Sequence, residues 1–169
     1  FMRQKQQTLL NNFTGKIQWS ASLSELDSFR GCVLSNELLD AFPVHLITME
    51  SGLKEIYVTA ADHHIMETVG PPSTHVLSDY LKTFSLNLPD GYRTEINLRI
   101  KDWLNRVNHI LSEGFILTID YGHPSLDYYS EDRDRGTLLC YYKHQVNETP
   151  YQLIGEQDMT AHVNFSSVK

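Results

Sequence analysis

Three kinds of residue in this chain have the type and spacing to do chemistry. The first is the run Ser35-Asn36-Glu37-Leu-Leu-Asp40, where an amide and two carboxylates follow the apolar stretch Cys32-Val33-Leu34 and precede Pro43. The second is Asp120-Tyr121-Gly122, which follows another apolar stretch, Phe115 to Ile119. The third is a set of eight histidines. A carboxylate stabilises a cation and accepts its proton, and an amide orients a lone pair. Asn36 and Glu37 could therefore hold an amine or another nucleophile. The competing view is that Glu37 and Asp40 cap a following helical turn, and both stay open on the residues alone.

The histidines do not assemble into a metal motif. His63 and His64 are adjacent and would point to opposite faces of a strand, while His123, His144 and His162 have no local partner at ligand spacing. No metal is expected. A Gly-x-Ser-x-Gly elbow, a P-loop and a Gly-x-Gly-x-x-Gly turn are all absent from the sequence. Tyr128-Tyr129 and Tyr141-Tyr142 suit packing or a rim.

These residues must be delivered by elements. Residues 31–35 and 115–119 are short apolar runs that read as buried strands, and ligands in open α/β sheets bind beyond the carboxyl ends of such strands. Ile96, Ile100, Trp103, Leu104, Val107, Ile110 and Leu111 form one apolar stripe, which predicts a helix over 95–112. Thr94 would be its N-cap and Gly114 its stop. A helix followed by a buried strand is half of a βαβ unit.

Residues 44–60 alternate around Glu50-Ser51-Gly52 and read as a β-hairpin, with 64–69 as an added strand. Gly70-Pro71-Pro72-Ser73 breaks the pattern, and Thr74 caps a helix to about Phe84. Residues 2–12 suit a helix with Leu9, Leu10 and Phe13 facing the core and Gly15 ending it. Ile17-Gln18-Trp19 reads as a short strand, and 20–29 as a loop with a helical turn. Residues 123–135 form a loop whose charges, Glu131 to Arg135, face solvent. Residues 136–146 are strand-like, and 147–158 form a loop.

The 169 residues make one domain long enough for a core of its own. With 14 Lys+Arg against 21 Asp+Glu the net charge is −7, a poor basis for contacts with nucleic-acid phosphates. Cys32 and Cys140 both lie in apolar runs and read as buried free thiols in a reducing compartment. No run approaches the ~20 apolar residues of a membrane span. The N-terminal residues have no signal-peptide core, and a helix already under way at residue 1 suggests a fragment.

The ordered set Ser35-Asn36-Glu37-Leu-Leu-Asp40-Ala-Phe-Pro43, Ile119-Asp120-Tyr121-Gly122, Gly136-Thr137-Leu, Tyr142-Lys-His144 and Gly155-Glu-Gln-Asp158-Met-Thr160-Ala-His162-Val-Asn-Phe165 resembles the MidA-like family of S-adenosylmethionine-dependent methyltransferases. The resemblance covers nearly the whole chain. It implies an α/β fold, a Rossmann-like class I methyltransferase sheet. Residues 1–169 would be the central part of a single domain, truncated at both ends, with a hairpin insertion at about 44–69. The family's glycine-rich cofactor loop would lie upstream of Phe1.

By position the resemblance implies a catalytic role for Asn36, Glu37 and Asp40. Cofactor contacts would fall to Trp19, Ser20, Ser35 and Asn36. Substrate contacts would fall to Glu37, Asp120 and His162. The implied cofactor is S-adenosyl-L-methionine and the implied partner a protein arginine, in a respiratory complex subunit. The compartment would be a bacterial cytoplasm or a mitochondrial matrix. The alternative on the same scaffold is a non-catalytic assembly module that grips a basic partner segment.

Overall fold

A computed structural model describes residues 2–13, 15–61 and 64–168. His63, half of the adjacent histidine pair, lies outside the described residues. The chain is α/β, and its strands fall into four small sheets among the described residues. The first strand, β1 (Phe29–Asn36), pairs in parallel with β6 (Leu111–Ile119), and Asn36 lies opposite Ile119. Between them in sequence comes an antiparallel sheet of β2 (His45–Met49), β3 (Leu53–Ala61), β4 (His64–Gly70) and β5 (Arg93–Ile96), in the order β4-β3-β2-β5. Two short strands, β7 (Gly122–His123) and β11 (Val163–Asn164), pair in parallel just beyond β6. The second antiparallel set is β8 (Leu139–Tyr142), flanked by β9 (Gln145–Asn147) and β10 (Asp158–Thr160).

The hairpin forms where alternation and the Ser51-Gly52 turn place it, and 64–70 adds a strand as expected. The sheet gains a further strand on its other edge, because β5 takes Thr94 and Glu95 out of the expected helix. Both side chains are buried there. The helix α3 (Arg99–Ile110) starts later, and Asn97 caps it by accepting from the Arg99 and Ile100 amides at 3.0 and 3.3 Å. Its stripe survives, with Ile100, Val107 and Ile110 buried. Gly114 is no helix stop. It sits in β6 at φ +144, and a Cβ there would come within 1.7 Å of the Gly31 carbonyl oxygen.

Two apolar cores result. In one, Ile47 and Ile96 of the antiparallel sheet pack with Leu77 of α2 (Val76–Thr83), with Tyr92, and with Tyr128 and Tyr129. Tyr128 closes α4 (Ser125–Tyr128), so the segment expected as a loop contributes a helical turn and two buried rings. In the other core, Leu39, Ile100 and Val163 pack with Trp103 and Phe165. Thr74 does lend its hydroxyl to the start of α2, accepting from the Val76 amide at 3.3 Å.

Four further expectations fail. The strands β1 and β6 form, but they are not buried: Leu34 is 65% and Phe115 78% exposed, since no described element covers either residue. Cys32 is exposed for the same reason, whereas Cys140 is buried. The helix α1 (Met2–Leu9) forms without burying any residue, so Leu9, Leu10 and Phe13 face outward. Residues 17–19 make no strand. Among the described residues no helix is long and apolar enough to cross a membrane.

Candidate functional site

The parallel pairing of β1 and β6 brings their two polar termini together. The Glu37 amide donates to the Ile119 carbonyl at 2.8 Å, so the chain leaves β1 directly beside Asp120. Asp120 then organises that exit. One of its carboxylate oxygens accepts from the Leu38 and Leu39 amides at 3.2 and 3.0 Å, and the other from the Tyr121 amide at 3.0 Å. The capping duty considered for Glu37 and Asp40 is thus carried by Asp120. Glu37 is exposed and holds a left-handed backbone, φ 45. That conformation is strained for a non-glycine residue and recurs at functional sites.

Asp40 is buried, and its Oδ2 accepts the Tyr121 hydroxyl. Its Oδ1 is buried without a hydrogen-bond partner among the described residues. A carboxylate oxygen in that state is costly unless something completes it. Burial and the Asp40 carboxylate both push the Tyr121 phenol up, so it stays a donor. The Asp40 carbonyl accepts from the Ala161 amide, and the Tyr121 carbonyl accepts from the Val163 amide, both at 3.0 Å. These bonds hold His162 against the cluster.

The His162 ring stands edge-on to Tyr121 with centroids 5.2 Å apart, and lies 5.3 Å from the ring of His123. Burial first, then the nearby His123 and Arg133, depress its pKa below 6.5, so the neutral ring is favoured. Its Nδ1 is also buried without a partner among the described residues. Asp40, Asp120 and His162 therefore converge through Tyr121. Ser35 lies just behind them, buried, its hydroxyl donating to Thr118 at 3.0 Å, while Asn36 is exposed. Trp19 sits apart. It lines a hollow of about 240 Å³ with Leu10, Phe13, Gly15 and Ile17, and none of residues 35–40 reaches that hollow. Ser20, half-buried, follows it in the chain.

His162 also lines a larger cavity of about 680 Å³, roofed by Arg133, residues 135–139 and residues 148–152 over the Leu46 and Arg93 face of the antiparallel sheet. Arg93 meets Glu67 there through two parallel bonds of 2.6 Å, and the Tyr151 hydroxyl joins Glu67 at 2.7 Å. The Arg93 bonds hold the Glu67 carboxyl below its usual range. Burial and Glu67 push Tyr151 up to about 12. Behind this wall Glu95, fully buried, accepts from the Tyr128 hydroxyl at 2.6 Å and the Thr137 amide at 2.9 Å. Glu95 was missed from sequence because its partners lie more than thirty residues away. In β5 it lies between Thr94 and Ile96, opposite Leu46, a pairing that no local pattern announces. Among the described residues, no three His, Cys, Asp or Glu side chains are grouped to hold a metal ion.

A parallel strand pair whose carboxyl ends carry a convergent polar cluster sets those groups where open α/β sheets bind their ligands. The fold matches two solved structures from Burkholderia thailandensis. One is described as a "likely methyl transferase" bound to S-adenosyl-homocysteine (TM-score 0.84), the other as an uncharacterized protein of the same superfamily (TM-score 0.86). Each is 31% identical and covers 98% of this chain, while this chain spans only 42% and 45% of theirs. No curated protein matches it. A family profile matches residues 1–169 throughout, and the chain belongs to that family, described as "putative S-adenosyl-L-methionine-dependent methyltransferase". S-adenosylmethionine is the cofactor of the family so described.

Proposed function

We propose that the whole protein is an S-adenosylmethionine-dependent methyltransferase whose acceptor side is the cluster at the ends of β1 and β6. The observation that carries this is the convergence of Asp40, Tyr121 and His162 beside exposed Glu37, in a chain of a methyltransferase family. The acceptor we infer is a protein arginine, in a subunit of a respiratory complex. A guanidinium offers a planar fork of donors that carboxylates match. Glu37 is open to solvent and Asp40 retains a free oxygen, which suits them to that fork.

We place residues 1–169 at the centre of a larger Rossmann-like sheet, with the antiparallel strands as an insertion over the substrate side. Two facts support this. Parallel strands are ordinarily covered on both faces, yet β1 and β6 expose Leu34, Phe115 and Leu117. The chain also spans less than half of the solved relatives.

The cofactor fits the described residues at one end. The hollow beside Trp19 offers an aromatic face, the apolar side chains of Leu10, Phe13 and Ile17 and the amides of Gln7 and Asn11, a mixture suited to adenine, but its lining has no carboxylate for a ribose. Trp19 and Ser20 would hold that end, and Ser35 and Asn36 the end nearer the acceptor. The cofactor supplies an electrophilic methyl group. The chain's own task is to hold the acceptor nitrogen in line and take up its proton. Glu37 and Asp40 orient the guanidinium. His162, neutral by virtue of its burial, lies where a proton can be received.

The alternative is a non-catalytic module that grips a basic segment. It draws support from Asp120, whose carboxylate is already engaged by three backbone amides. Calorimetry on the full-length protein separates the two: binding of S-adenosylmethionine is expected, and no heat at millimolar cofactor leaves only the module. Glu37→Gln and Asp40→Asn should then lower methyl transfer to an arginine peptide about a hundredfold while sparing cofactor affinity. Loss of cofactor affinity instead would move both residues to the cofactor side.

A further inference from the structure

The cavity beside His162 has a charge pattern that the acceptor cluster does not use. Its ionised walls are the guanidinium groups of Arg93, Arg133 and Arg135 and the carboxylates of Glu67 and Glu148. Arg93 is spoken for by its paired bonds to Glu67. Arg133 is held in place differently. One terminal nitrogen donates to the Asp127 carbonyl at 2.7 Å and to the Ser130 hydroxyl at 3.1 Å, both neutral acceptors. Among the described residues neither Arg133 nor Arg135 forms an ion pair. The acids of the same run, Glu131, Asp132 and Asp134, are exposed and do not line the cavity.

The run Glu131–Arg135 is therefore divided by sign. Its carboxylates meet solvent without lining the cavity, whereas half-buried Arg133 and exposed Arg135 both line it, on a chain that is otherwise acidic. A fixed, half-buried guanidinium with open donors is suited to a planar anion. The cavity volume, about 680 Å³, is in the range of small-ligand sites. With Glu67 and Glu148 also lining it, the cavity keeps a single positive charge in excess. That balance matches one carboxylate group, such as either end of a dicarboxylate, and under-compensates the two charges that a phosphate gathers on a single group.

We infer that this cavity is a carboxylate-recognising subsite, in which Arg133 and Arg135 receive the side-chain carboxylate of an acidic residue flanking the methyl acceptor. What carries the carboxylate rests on the acceptor site proposed above. The recognition itself rests on the two arginines alone. The subsite opens beside His162, whose ring touches Tyr121 and through it Asp40, so one bound segment can occupy both.

The test is calorimetric titration of the protein with glutarate, with inorganic phosphate, and with two short peptides containing arginine, one of them with a flanking glutamate. Glutarate should bind, and Arg135→Gln should weaken it on the order of tenfold. Among the described residues the Arg135 side chain has no ion pair to lose, and it is exposed, so this variant should keep the melting temperature. Arg133→Gln should act similarly, and Glu148→Gln should strengthen binding severalfold. The glutamate-flanked peptide should bind on the order of tenfold more tightly than its neutral counterpart.

Unchanged glutarate binding in Arg135→Gln, or tighter binding of phosphate than of glutarate, overturns the subsite. Equal binding of the two peptides overturns the flanking residue as the source. Glutarate binding that persists without any S-adenosylmethionine binding sinks the methyltransferase proposal and leaves the subsite standing.

Discussion

The parallel pair β1–β6 and the antiparallel sheet β2–β5 are built from similar apolar residues and are held in opposite ways. In the antiparallel sheet the side chains hold the structure. Ile47 and Ile96 are fully buried against α2 and the tyrosines of residues 128 and 129. In the parallel pair the backbone holds it. Leu34, Phe115 and Leu117 are more than half exposed, while Gly31 and Gly114 are pressed together at the backbone. A strand's composition thus decides that it is extended, and its burial is decided by what lies over it.

The largest expected effect comes from the backbone of the exposed pair. Gly114→Ala places a methyl 1.7 Å from the Gly31 oxygen at a φ of +144 that other residues rarely adopt. Strain and overlap at roughly 2 kcal/mol each make a loss of about 4 kcal/mol. Urea denaturation measures it. A loss below about 1 kcal/mol would mean that the two backbones are not in contact in solution.

Next comes the contrast between side chains. Ile47→Ala should cost about 3 kcal/mol, through lost burial and the cavity left behind. Phe115→Ala, at a residue 78% exposed, should stay within about 0.5 kcal/mol. If both cost the same in the full-length protein, then β6 is covered there, as the larger Rossmann-like sheet proposed above requires.

This contrast also explains what was legible beforehand. The hairpin was readable because alternation and a Gly-containing turn are local signals. The stripe of α3 was readable too, but its start was not. Thr94 and Asn97 are both good caps by type, and the pairing of residues 93–96 with β2 chose between them. The polar ends at Glu37 and Asp120 were visible as strand ends, and their neighbourhood followed once β1 and β6 paired. The engagement of Asp40 by Tyr121, and of Glu95 by Tyr128 and Thr137, joins residues too far apart for any local pattern to signal.

The smallest effects are electrostatic, and they divide the two regions again. In the antiparallel sheet, Glu67 is held low by Arg93, and Glu55 is held low by hydrogen bonds from His45 and Ser73 that outweigh its burial. A carboxyl with a depressed folded pKa binds fewer protons when folded than when unfolded. Its contribution is present above its ordinary value of 4.5 and is lost as the pH falls through the folded value. His162, also depressed, adds a separate loss that begins as the pH drops below 6.5. The parallel pair has Arg30 and Glu113 at 2.9 Å, but both are exposed, and such pairs are worth little. Urea midpoints between pH 7 and pH 3 should therefore fall in two stages. Glu67→Gln should flatten the lower stage and His162→Gln the upper one. Arg30→Gln should change neither. If Arg30→Gln alters the profile as much as Glu67→Gln does, then the ion pair on β1 and β6 is shielded from water, and the exposed face of that sheet has a cover in solution.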